Sequence, residues 1–173
     1  VSEQGFMKAT DNPLDLSIQG GGYFQIQAPD GEIAYTRDGN FQIGPEGQIV
    51  NQDGYPLQPG ISVPANSQKI MVNATGGVSA KIAGQLTPSI IGTIQVALFP
   101  NEGGMKALGG NLFTASEQSG EPVITNPGEG GGGSVLQGFV ETSNVNPIEE
   151  ITNLIKAHRA YDMNSKMMQT ADK

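Results

Sequence analysis

The chain has 173 residues and a formal net charge of −8, with a mass of 18.0 kDa and a pI near 4.5, enough for one buried core and too little for two large domains. The absence of cysteine excludes disulfides, thiolate metal sites and cysteine nucleophiles, and the acidic balance argues against a nucleic-acid surface, which needs clustered Lys and Arg. No run of 18 or more apolar residues is present to span a membrane, and Val1-Ser2-Glu3 begins no signal peptide.

After a lead-in over residues 1–13, the region 14–127 reads as β-rich. Turn sequences Pro29-Asp30-Gly31, Asp38-Gly39-Asn40, Pro45-Glu46-Gly47 and Gln52-Asp53-Gly54 recur every seven or eight residues, the rhythm of a β-meander or barrel-like sheet. Asp-Gly and Asn tolerate positive φ, which is why they punctuate hairpins. The alternation predicts strands over 14–18, 23–27, 32–36, 40–43, 48–50, 69–73, 78–82 and 93–99, with Ile94, Val96 and Leu98 sharing one face. Gly103–Gly110 reads as one helical turn around Met105 and Leu108, closed by glycines. The segment 128–134, which includes Gly130, Gly131, Gly132 and Gly133, lacks side-chain volume and backbone stiffness and is expected to be a hinge or open loop. A return segment follows over 135–146.

From Asn146 the period changes to about three and a half. Asn146 is placed to cap, Pro147 suits the first helical position, and Glu149 completes a capping box. Ile151, Leu154, His158, Tyr161, Ser165 and Met168 follow a heptad course, with Ile148 and Ile155 widening the stripe. The expected fold class is therefore mainly β with a long C-terminal α-helix, over 147–173 and roughly 40 Å long. A stripe of that length must be buried against something, so association is the expected business of the segment.

Chemistry-bearing patterns are sparse. His158 is the sole histidine, and its place in the stripe favours a packed seam residue over a catalytic or metal-binding one. Glu149 and Glu150 face apart on a helix and suit its positive start, so they do not read as an acid/base pair. Gly128 to Gly133 formally match G-x-G-x-x-G, but no helix is expected to open there, and the Asp-Gly turns lack the alternating ligands of a calcium loop. No enzyme activity, metal or cofactor is expected. A secreted β-rich binding module, or a hydrolase built on His158, are the competing readings from other classes.

The segments Asn12-Pro13-Leu14-Asp15-Leu16-Ser17-Ile18-Gln19-Gly20, Gly22-Tyr23-Phe24 and Tyr35-Thr36-Arg37-Asp38-Gly39-Asn40-Phe41 resemble the core of the flagellar rod and hook family. Gln137-Gly138, Glu141, Ser143-Asn144-Val145-Asn146 and the run from Arg159 to Lys166, ending Gln169-Thr170-Ala171-Asp172, look like its distal-rod branch, with hook and proximal-rod members as nearest alternatives. The resemblance implies a helical homopolymer contacting other rod proteins, hook and ring proteins, in a rod that spans the periplasm as a motility drive shaft. Export would need no cleaved signal peptide. It also implies a coiled-coil inner domain to which 147–173 contributes, and a β-rich outer domain. Family members carry a helical segment before the counterpart of Val1, so this sequence is expected to be a fragment, monomeric by itself.

Overall fold

One five-residue hairpin loop is used four times. Ala28–Glu32, Gly44–Gln48, Asn51–Tyr55 and Asn73–Gly77 are each closed by backbone hydrogen bonds from the fourth residue's N–H to the first residue's carbonyl and from the first residue's N–H to the fifth's carbonyl, at 2.7–3.0 Å. The fourth residue is in each case a glycine with φ between +87° and +92° (Gly31, Gly47, Gly54, Gly76), the left-handed geometry that side chains resist. In two of the loops the first residue is asparagine. The Asn51 Oδ1 accepts from the N–H groups of Asp53 and Tyr55, both at 2.9 Å, and Asn73 Oδ1 does the same for Thr75 and Gly77.

The chain divides into units 1–142 and 143–173, and the computed structural model describes residues 5–142. The strands are β1 (Met7–Ala9), β2 (Leu16–Gln19), β3 (Phe24–Gln27), β4 (Ile33–Thr36), β5 (Gln42–Ile43), β6 (Ile49–Val50), β7 (Leu57–Gln58), β8 (Ser67–Val72), β9 (Gly77–Ile82), β10 (Ser89–Thr93), β11 (Val96–Leu98), β12 (Lys106–Gly109), β13 (Leu112–Thr114), β14 (Val123–Thr125), β15 (Ser134–Gln137) and β16 (Phe139–Glu141). Local hairpins pair β3 with β4, β5 with β6, β8 with β9, β9 with β10, and β12 with β13. Distant segments close the rest: β2 lies against β15, β1 against β16, β11 against β14, and the five-stranded sheet runs β12-β13-β4-β3-β7. All recorded pairings are antiparallel.

Strand β2 is the floor of the core. Leu16, Ser17 and Ile18 are all essentially inaccessible, so both of its faces are covered. Around it pack Phe24, Ile26, Phe41, Leu57, Val96 and Val135, among others, with the rings of Phe24 and Phe41 edge to face at 5.2 Å. A second cluster joins Tyr23, Tyr35, Ala97 and Phe99. Ile94 and Val96 enter the first cluster together, in keeping with the face they were expected to share, while Ala97 and Phe99 enter the second, so this stretch is buried on both faces.

The expected fold class is corrected as well. Among the described residues there is no α-helix; the one helical element is a 3-10 turn at Glu102–Gly104, and the chain is mainly β. The helical turn expected around Met105 and Leu108 is instead the strand β12, paired with β13 through a bulge that the glycines at 109 and 110 accommodate. The long helix expected over 147–173 lies outside the described residues.

Asp38-Gly39-Asn40 also departs from the hairpin reading. Gly39 has no positive φ, but a Cβ there would sit 1.7 Å from the Leu16 carbonyl oxygen and 3.1 Å from the Phe24 ring. The loop lies directly on the β2 backbone, with Leu16 N–H donating to Gly39 O and Phe41 N–H to Leu14 O. Gly39→Ala is expected to cost about 3 kcal/mol or more, since neither backbone yields easily, whereas Gly31→Ala, with open space around it, costs about 1 kcal/mol through φ alone. Urea unfolding midpoints of the two variants check the order.

Candidate functional site

Arg37 follows β4 and uses its planar fork of donors almost completely. Nη1 donates to the carbonyls of Gly20 and Gly22 at 2.8 and 2.6 Å, Nη2 to that of Ile18 at 2.9 Å, and Nε to Glu141 Oε1 at 3.0 Å. Nη2 also lies 3.0 Å from the same carboxylate oxygen, and the two side chains are only 23% and 7% exposed. The second oxygen of Glu141 accepts from Gly5 N–H at 2.6 Å. A lysine could not replace this geometry, because its ammonium is a point charge without the fork. The turn after β2 is thus tied through one guanidinium to β16, and through Glu141 to the chain just before β1.

Gln137 performs a second closure. Its Nε2 donates to Pro13 O at 2.9 Å and Ile70 O at 2.8 Å, while its Oε1 accepts from Val72 N–H at 3.1 Å. The chain bends after it at Gly138, φ +84°, whose N–H reaches Asp15 O and whose carbonyl receives Thr10 N–H. The ribbon β1·β16 follows, with Met7 opposite Glu141 and Ala9 opposite Phe139. The described chain therefore enters and leaves the body side by side.

The glycines expected to form a hinge or open loop are placed in a packed turn. Gly132 N–H donates to Glu129 O and Gly133 N–H to Gly21 O, both at 2.8 Å. A Cβ on Gly133 would meet Gln19 O at 2.5 Å and Gly20 Cα at 2.8 Å, so two backbones touch where β15 begins. Gly130 and Gly131 have φ of +58° and +91°. Asn146, Ile148, Glu149, Ile151, Leu154, Ile155, His158, Tyr161, Ser165 and Met168 lie outside the described residues.

At the second cluster, the Tyr23 hydroxyl donates to Glu102 Oε1 at 3.3 Å, and the Tyr35 and Phe99 rings meet edge to face at 4.8 Å. Burial, and then the nearby Glu121 carboxylate, push the Tyr35 hydroxyl above its usual 10.0. Elsewhere a groove of about 660 Å³ runs between Ile43, Pro45, Val63, Pro64 and Lys69, and its lining has no nucleophile–base pairing. No group of three His, Asp or Glu side chains converges among the described residues.

The described residues thus form a β body whose incoming and outgoing strands are held as a clasped ribbon. The residues that make the clasp, Arg37, Gln137 and Glu141, fall within or beside the sequence segments that two family models recognise. The model described as flagellar hook protein FlgE/F/G D1 domain matches residues 17–80, and that described as flagellar basal body rod FlgEFG protein C-terminal matches residues 136–173. Among curated relatives, the flagellar basal-body rod protein FlgG of Caulobacter vibrioides is 51% identical over 99% of this chain and 66% of its own length. The protein of the same name in Bacillus subtilis is 39% identical over 95% of this chain and 64% of its own. Flagellar basal-body rod protein FlgF of Caulobacter vibrioides is 35% identical, again over 95% and 64%. This chain belongs to the flagellar hook and basal-body rod family, and it spans about two thirds of the length of these relatives.

Arg37→Ala removes the partner of a nearly buried carboxylate and of three carbonyls, and is expected to cost about 2–4 kcal/mol. Hydrogen exchange should accelerate most at residues 5–9 and 139–142, with Arg37→Lys recovering little of the protection. A second expectation concerns alkali. The folded state holds the Tyr35 proton more tightly than the unfolded state, so stability is level below about pH 10 and falls as pH rises beyond it. Thermal midpoints of Tyr35→Phe should fall less steeply with pH in that range than those of the unsubstituted chain.

Proposed function

We propose that this chain is part of a structural subunit of the bacterial flagellar rod, at the distal rod of the basal body, where it acts by assembly and carries no catalytic site. The single observation behind this reading is that 95–99% of this chain matches basal-body rod relatives, over about two thirds of their own length. The choice within the family rests on one organism: in Caulobacter vibrioides the identity is 51% to FlgG and 35% to FlgF. The hook and the proximal rod are accordingly the second readings, kept because the model over residues 17–80 is common to FlgE, FlgF and FlgG.

In this reading subunits stack head to tail into a helical homopolymer, which needs two different complementary surfaces on each copy. The rod would contact other rod proteins, the hook and the rings, cross the periplasm, and be exported without a cleaved signal peptide. The match over residues 136–173 supports placing Ile148, Ile151, Leu154, Ile155, His158, Tyr161, Ser165 and Met168 at the subunit contact.

Deletion of the gene should abolish swimming and leave basal bodies without a completed rod or hook, and immunogold labelling should place the protein on the rod. Complete basal bodies and normal swimming in the deletion strain would overturn the reading.

A further inference from the structure

The sheet β8–β9–β10 presents an outer face unlike the rest of the body. Val78, Ala80 and Ile82 of β9 point into the core, so Ser79 and Lys81 point outward. The register sets Lys69 directly opposite Lys81 and aligns Met71, Ser79 and Ile90 in the neighbouring row. Like charges directly opposite one another are destabilising in a sheet. They are also costly to explain by chance, because residues 5–142 hold twelve Asp and Glu but only five Lys and Arg. Neither lysine forms an ion pair among the described residues; Lys81 Nζ donates instead to the Gln85 carbonyl. Beside them stand two large apolar side chains in the open, Ile90 at 82% and Leu86 at 97% exposure.

The complementary chemistry lies on another part of the body. Around the Tyr23–Tyr35–Phe99 cluster stand Glu102 and Glu121, joined by Glu117 in the Ser116–Gly120 loop that packs on Gly104. Exposed Leu108 and Val123, on the outermost strand of the five-stranded sheet and on the ribbon β11·β14, supply apolar area there.

We propose that the outer face of β8–β9–β10, through Lys69, Lys81, Leu86 and Ile90, docks on the Glu102–Glu121 end of a second copy of this chain. This rests on the reading of the chain as a rod subunit. Because the two surfaces belong to different sheets, the contact is heterologous, the kind that builds an open helical array wherever its rotation does not close into a ring. Opposite charge supplies orientation and encounter rate, and the apolar side chains between the lysines and the hairpin tip supply the buried contact.

The test uses the complete protein in the bacterium. Lys69→Glu combined with Lys81→Glu should lower the amount recovered in isolated basal bodies by about tenfold, with the thermal midpoint of the purified protein unchanged. Adding Glu102→Lys and Glu121→Lys should restore recovery. Leu86→Ser, at a position with almost no contacts to lose, should reduce recovery on its own and carries the test if the lysine variant proves unstable. Normal recovery of folded Lys69→Glu, Lys81→Glu protein and of Leu86→Ser protein would overturn the docking face, and loss without rescue would overturn its assigned occupant. A gene deletion that spares the rod instead removes the rod reading itself, so the two failures are separable.

Discussion

Hairpins of two to six residues per strand hold themselves together only weakly, and most of the local pairs here are of that kind. What closes them into one body is the joining of the first strands to the last among the described residues, and at that seam the Arg37 guanidinium binds four groups at once. Three are the carbonyls of Ile18 in β2 and of Gly20 and Gly22 in the turn after it, and the fourth is the Glu141 carboxylate. Left unpaired, each would carry the cost of a buried polar group. Paired through one planar cation, they fix the turn, the ribbon β1·β16 and the loop that carries Gly39 relative to one another. The core under β2, the approach of β15 and the bend at Gly138 all presuppose this arrangement.

Much of the local structure could be read from residue order. The expected turns do form at Gly31, Gly47 and Gly54, and the strands between them lie within a residue or two of their expected positions, because turn chemistry and two-residue alternation are local properties. The terminal and late strands were hidden for the opposite reason. Residues such as Met7–Ala9, Val123–Thr125 and Phe139–Glu141 are strands only because a distant segment pairs with them, and no short window contains that partner. Lys106–Gly109 misled because glycine suits a helix cap and a β-bulge equally well.

The clasp itself was half visible. Arg37 stands in a turn where short polar residues are usual, and it is one of two arginines in an acidic chain, yet nothing in order or spacing names Glu141, 104 residues away, as its partner. Gly39 and Gly133 carry a similar lesson. Both invite an explanation in terms of freedom, and both are in fact places where two backbones approach too closely for a Cβ. A glycine-rich stretch is thus compatible with one of the least adaptable contacts in the body.

The pairing of Met7 with Glu141 has a consequence for how such a body can vary. Its entry and exit strands are neighbours, so about 130 residues behave as a cassette inserted at a single point in the polypeptide. Changes in the cassette that keep Arg37 and Gln137 in place leave the spacing of the two strands at its mouth unchanged, since that spacing is set by the ribbon and its clasp. Related chains can therefore differ widely in the body while keeping the two strands at its mouth side by side.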